Sequence, residues 1–358
     1  DINASQESAL TRDQVAQLAL NTLETGMVEA QKNNADITIG SGDTAVTING
    51  QVEYIVRTGA TNSKMATAIK SGNVSQGSGT DGTVGETIEL GEQLYSGDLV
   101  KRGDTDVFGA PSTRWVYKNS EIGVYADEAD VEYTEEVKLK DIYRDLGLTG
   151  TVKKGDVNFW IDGVSDADAS KIYANDGTTD LNNVDLVKSG EQGDLKLGGN
   201  GVLVKAYKGE DNNGNDTVTI CAINTYVLQV DGEYDTRKEE LRLKELDDVK
   251  ELPSKTDTKL SSDDYDNLDR FNDEDYVLVT VADSEIQTIK AAETLSETVT
   301  AYVAKRGDGN SNSVTAGGVT YKYNKNYTAK TYEVKEQYVL VLDSYGYVIF
   351  TDGVDVDD

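Results

Sequence analysis

Two stretches gather side chains that could do chemistry. In E-D-N-N-G-N-D, residues 210–216, Asp211, Asn213 and Asp216 cluster oxygen donors around a short Gly-containing turn. In S-D-D-Y-D-N-L-D-R-F-N-D-E-D-Y, residues 262–276, Asp263, Asp264 and Asp266 crowd together, with Asp273 and Asp275 close behind. A hard cation such as Ca2+ binds clustered oxygens of this kind and relieves their mutual repulsion. Neither stretch has the D-x-D-x-D-G spacing and distal Glu of an EF-hand. The plainer reading is an Asn/Gly turn in the first case and a solvated acidic face in the second. Calcium at Asp211, Asn213, Asp216, Asp263, Asp264 and Asp266 is the sharper expectation.

Other chemistry is narrowed by what the chain lacks. It contains no histidine, which removes the commonest general base and the commonest zinc ligand. Ser-His-Asp and Cys-His arrangements are therefore impossible. The single cysteine, Cys221, excludes an internal disulfide, and in T-V-T-I-C-A-I it reads as a small core residue. G-S-G-T-D-G, residues 77–82, lacks the Lys and Ser/Thr of a phosphate loop. No carboxylate pair is marked by a motif, so the chain reads as a non-enzyme. K-R-G-D occurs at 101–104 and 305–308; an integrin-type adhesion motif is one reading and a polar turn the plainer one.

Charge points the same way. Against 34 Lys and Arg stand 65 Asp and Glu, a formal net charge of −31. Such a surface repels phosphate backbones and anionic headgroups, which argues against nucleic-acid and membrane partners. No apolar run reaches the ~20 residues of a membrane-spanning helix. The absence of a signal peptide reads as a cytosolic chain or a trimmed secreted one.

The elements that would position these residues are mostly strands. The exception is the stretch from Leu10 to Glu29. Thr11 and Gln14 make a capping box, and Val15, Leu18, Ala19, Thr22, Leu23, Gly26 and Met27 fall at helical spacing. From Ile37 the period changes to two. A-V-T-I-N-G-Q-V-E-Y-I-V, residues 45–56, predicts a hairpin turning at Asn49-Gly50. Residues 139–148 predict a short helix closing this module. Residues 201–232 predict a long hairpin whose return strand could serve two sheets. The charged, Pro253-containing stretch 235–275 reads as a boundary. A closing hairpin turns near Asp343 to Gly346, and the final V-D-V-D-D reads as an interrupted continuation.

This division predicts a mainly β fold: several small sandwich- or barrel-like modules in series, preceded by one amphipathic α-helix. The expected parts are the helix in 1–33 and β modules in 34–150, 151–250 and 251–358. The 20 tyrosines suit half-exposed sheet faces.

T-R-D-Q-V-A-Q-L-A-L-N-T-L, residues 11–23, resembles the closing helix of a surface-layer homology (SLH) module. Other stretches resemble the segment that follows such modules in surface proteins of clostridial-type Gram-positive bacteria. They are A-L-N-T-L-E-T-G-M-V-E, F-G-A-P-S-T-R-W-V-Y-K-N-S-E-I-G-V-Y-A-D-E-A-D-V, G-G-N-G-V-L, D-Y-V-L-V-T-V-A-D-S-E-I-Q-T and V-L-V-L-D-S-Y-G-Y-V-I. In that family SLH modules bind a pyruvylated wall polymer. Arg12 matches the family's T-R-A-E motif, whereas Asp13 and Gln14 depart from it, and the three-repeat anchor is absent. The resemblance implies an exported cell-envelope protein on the bacterial surface, a subunit of a lattice, tube or filament. Its partners would be copies of itself, with cell-wall polysaccharide as a further one. The alternative is a surface-displayed adhesin or carbohydrate binder in which Trp115 or Trp160 stacks on sugars.

Overall fold

The structure, a computed structural model, describes residues 12–23, 25, 28–32, 37–39, 46–48, 52–56, 90–95, 98–165, 167–211, 214–247, 249–303, 313–327 and 332–353. The chain is mainly β, in several separate sheets, with one helix near its amino-terminal end. It divides into two compact units, residues 1–104 with 112–125, and residues 105–111 with 126–358.

The first unit opens with α1 (Arg12–Leu23). Only part of its expected apolar stripe packs: Leu23 is half-buried against Gly91. Val15 and Leu18 are 52% and 42% exposed, whereas Leu20 packs against Trp115. Apolar residues run round much of this helix, and Leu20 lies on a different face from Val15 and Leu18. The capping-box residue Thr11 lies outside the described residues. Four short strands follow: β1 (Val28–Lys32), β2 (Ile37–Ile39), β3 (Val46–Ile48) and β4 (Val52–Val56). The predicted 45–56 hairpin does not form. β3 pairs with β2, and β4 pairs with β1. Each half of the apparent hairpin finds its partner upstream, which local turn chemistry could not reveal; Asn49 and Gly50 lie outside the described residues. After α2 (Leu90–Leu94) comes a three-stranded sheet of β5 (Leu99–Thr105), β6 (Pro111–Tyr117) and β7 (Ser120–Ala126), in that order. The first K-R-G-D copy is not a turn. It lies inside β5, where Asp104 accepts a hydrogen bond from Arg114 of β6. The second copy lies outside the described residues.

Among the described residues the second unit holds three five-stranded sheets and three large buried clusters, one of which joins Val227 and Leu278 of the second sheet to the core of the third. The first contains β8 (Val131–Tyr133), β10 (Val157–Ile161), β11 (Val164–Ser165), β13 (Leu203–Glu210) and β14 (Asp216–Ile223). β9 (Val137–Lys138) and β12 (Lys196–Leu197) form a small ladder beside it. α3 (Leu139–Asp145) buries Leu139 and Ile142 in one cluster with Val157, Phe159, Val204 and Ile220. The helix expected to close the preceding module thus packs with the strands that follow it.

The predicted long return strand is two strands. β14 belongs to the first sheet, and β15 (Tyr226–Val230) to the second, with Asn224 and Thr225 between them. The second sheet runs β17-β16-β15-β18-β19. It adds β16 (Glu240–Glu245), β17 (Lys259–Ser261), β18 (Tyr276–Ala282) and β19 (Glu285–Ala291). The charged stretch 235–275 is therefore not a boundary. In E-L-R-L-K-E the leucines alternate with charge, so Leu241 and Leu243 enter the core beside Leu260, Leu268 and Phe271. The third sheet contains β20 (Glu293–Val303), β21 (Ser313–Ala316), β22 (Val319–Lys322), β23 (Gln337–Leu342) and β24 (Val348–Gly353). β23 and β24 form the predicted closing hairpin, where Gly346 N donates to Asp343 O.

Candidate functional site

Of the described calcium candidates, Asp211 is engaged in local turn chemistry, Asp216 in an ion pair, and the other three are exposed. Asp211 accepts from Asn215 N at 2.8 Å and Asn215 Nδ2 at 2.9 Å. Asp216, the first residue of β14, pairs with Lys208 at 3.2 Å. Asn213 lies outside the described residues. Asp263, Asp264 and Asp266 are exposed on the turn between β17 and the short 3-10 helix Leu268–Arg270. Asp273 accepts from Gly232 N at 2.7 Å, and Asp275 accepts from Asn272 N at 2.8 Å. Among the described residues no group of three or more acidic side chains is placed to hold a metal ion. Cys221 is buried, and burial pushes its thiol up to about 12, well outside the reactive range. Trp115 is 6% exposed and offers no open face for stacking.

The buried chemistry lies where the three sheets of the second unit meet. Asp162 occupies the two-residue turn between β10 and β11, with Gly163 beside it at φ 75°. The turn aims its carboxylate inward. There Asn224 N and Tyr226 Oη each donate to it at 2.8 Å, as does Asn224 Nδ2. Asn224 in turn accepts from Asn326 Nδ2 at 2.8 Å. One carboxylate therefore ties the first sheet to the linker into the second and, through Asn326, to the loop after β22. Burial beside this carboxylate pushes the Tyr226 hydroxyl well above its ordinary range. Lys250 lies over the Tyr226 ring, 5.5 Å from its centroid, and burial lowers its ammonium pKa.

A second network crosses from the first sheet to the third through G-G-N-G, residues 198–201. Asn200 Nδ2 donates to Tyr323 O at 3.1 Å, and Lys325 N donates to Asn200 O at 2.9 Å. Gly201, at φ 79°, could not carry a side chain. A Cβ there would stand 2.1 Å from both Asn324 Nδ2 and an Asp343 oxygen. Asn324 Nδ2 donates to buried Asp343 at 2.6 Å, and Tyr345 N and Tyr347 N donate to the same side chain. Burial raises the Asp343 pKa against the pull of these three donors.

Lys325 turns from this network into an open depression of about 500 Å3. Its stem lies against Gly199, where a Cβ would collide with Lys325 Cδ at 2.5 Å. Its Nζ donates to Asn175 Oδ1 at 2.5 Å and to Gly198 O at 2.6 Å. Asn175 Nδ2 donates to Glu136 Oε2 at 3.1 Å and to Gly198 O at 3.0 Å. Glu136 Oε1 pairs with Lys196 at 2.6 Å. Lys325 is exposed over the whole residue, yet its amino end is crowded by protein atoms and feels the charge of Lys250. Together these bring its pKa down to about 8.

Sequence reasoning missed Glu136, Asn175, Asp162 and Lys325. They are scattered over nearly two hundred positions without a spacing pattern. The one available signal was G-G-N-G, whose clustered glycines mark close approach of another chain segment. Compared with known proteins, the chain matches no family model and no curated sequence.

Proposed function

We propose that the chain is a structural subunit of a bacterial cell-surface assembly, a lattice, tube or filament, built by self-association. The observation that carries this reading is β7. Among the described residues it is one of the two edge strands of its sheet, and Ile122, Val124 and Tyr125 on it are 56%, 36% and 51% exposed. An open edge with apolar side chains is a template for pairing with a strand of another chain. The deeply buried polar groups of the second unit join sheet to sheet, an arrangement suited to a load-bearing body.

The net charge of −31 opposes contact between copies. Divalent cations such as Ca2+ screen that repulsion and make assembly cation-dependent. The test is pelleting of the purified chain beside an Ile122→Lys variant. The variant should stay in the supernatant under conditions that sediment the parent. Equal sedimentation would remove β7 from the contact.

A further inference from the structure

We propose that Lys325 and Asn175 are the precursors of an intramolecular isopeptide bond, with Glu136 as the group that handles the proton. Three features place the reactants. Lys325 Nζ stands 2.5 Å from Asn175 Oδ1. An amide C=O is ~1.23 Å long, so Nζ lies no more than about 3.7 Å from Cγ, next to the roughly 3–3.5 Å of a near-attack arrangement. Asn175 is held on its other side by Glu136 and Gly198, which fixes the amide plane. The Lys325 stem is seated on Gly199, which leaves its amino end little freedom to swing away.

The chemistry balances without an added reagent. The lone pair of neutral Lys325 Nζ attacks Asn175 Cγ, forming a C–N bond. The Cγ–Nδ2 bond then breaks, and ammonia leaves. An amine and a primary amide become a secondary amide and ammonia. Glu136, which contacts the departing Nδ2, takes a proton from the attacking nitrogen and delivers it to the leaving one. The Nζ-to-Gly198 O hydrogen bond holds the nucleophile while it loses its proton. Crowding that brings the Lys325 pKa down to about 8 supplies the neutral amine at mildly alkaline pH.

The two residues are 150 positions apart, on the first-sheet and third-sheet sides of the second unit. A bond between them would close a covalent loop around the second sheet. The networks at Asp162 and Asp343 would hold the same junction non-covalently.

Intact-mass spectrometry of the full chain tests this. The expected result is a deficit of one ammonia, with a branched tryptic peptide joining the segments that carry Asn175 and Lys325. The deficit should vanish in Lys325→Arg and in Asn175→Ala. In Glu136→Ala it should form at least about 100-fold more slowly, as loss of a general base predicts, while circular dichroism stays that of the parent. Formation in freshly refolded chain should accelerate as pH rises through about 8, because the neutral amine is then populated, and level off above it. A chain of full sequence mass after long incubation above that pH would overturn the proposal. So would a deficit that survives in Lys325→Arg, since the ammonia would then come from elsewhere.

Discussion

Asp162 is nearly buried, and its carboxylate accepts from Asn224 N, Asn224 Nδ2 and Tyr226 Oη. Hydrogen bonds to a charged group contribute more than neutral ones, and partners stranded without water cost their full desolvation. Asp162→Ala should therefore lower unfolding stability by about 3 kcal/mol, read as a fall in the denaturant midpoint. A change under about 0.5 kcal/mol, the range of an ordinary surface substitution, would show that the network is not structural. The identity of this residue as a junction was not legible in the sequence. D-V-N-F-W-I-D-G announces a strand and a turn, but not that the turn faces inward. What hides it is distance: its partners are more than sixty positions away. Cys221 was legible, because its neighbours on both sides alternate as a buried strand does.

At the scale of elements, α1 separates what periodicity can and cannot say. The spacing identified a helix, and the helix is there. It did not identify which face packs, since apolar residues occur on more than one. Leu20→Ala should destabilise the first unit by about 1 kcal/mol, part of the roughly 1.5–3 kcal/mol for a fully buried leucine. Val15→Ala should move it by less than about 0.5 kcal/mol. Thermal melts of the two variants decide, and the reverse order would contradict the packing on Trp115. The strands teach a similar lesson. The β23–β24 hairpin was legible because its turn and both its strands are contiguous. The 45–56 hairpin was misread because register depends on partners that lie elsewhere in the chain. The stretch 235–275 was misread because charge masks its alternating leucines. Edge position cannot be read locally either; β7 is an edge only because nothing pairs with its outer side among the described residues.

For the whole molecule, strongly like-charged copies carry an open apolar strand edge, and the proposed function follows from resolving that conflict. Repulsion between copies weakens with ionic strength and more sharply with divalent ions that bridge carboxylates. The mainly β architecture was legible from alternation and turn signals along the chain. The calcium candidates on 210–216 and 262–276 were chosen by composition, and the described ones serve as turn acceptors, ion-pair partners or exposed charges. Cation dependence should therefore come from the surface as a whole. The most direct measurement is negative-stain electron microscopy of the purified chain in calcium and in excess chelator. Ordered polymers with calcium and dispersed particles with chelator are the predicted result; dispersed particles in both would contradict the account.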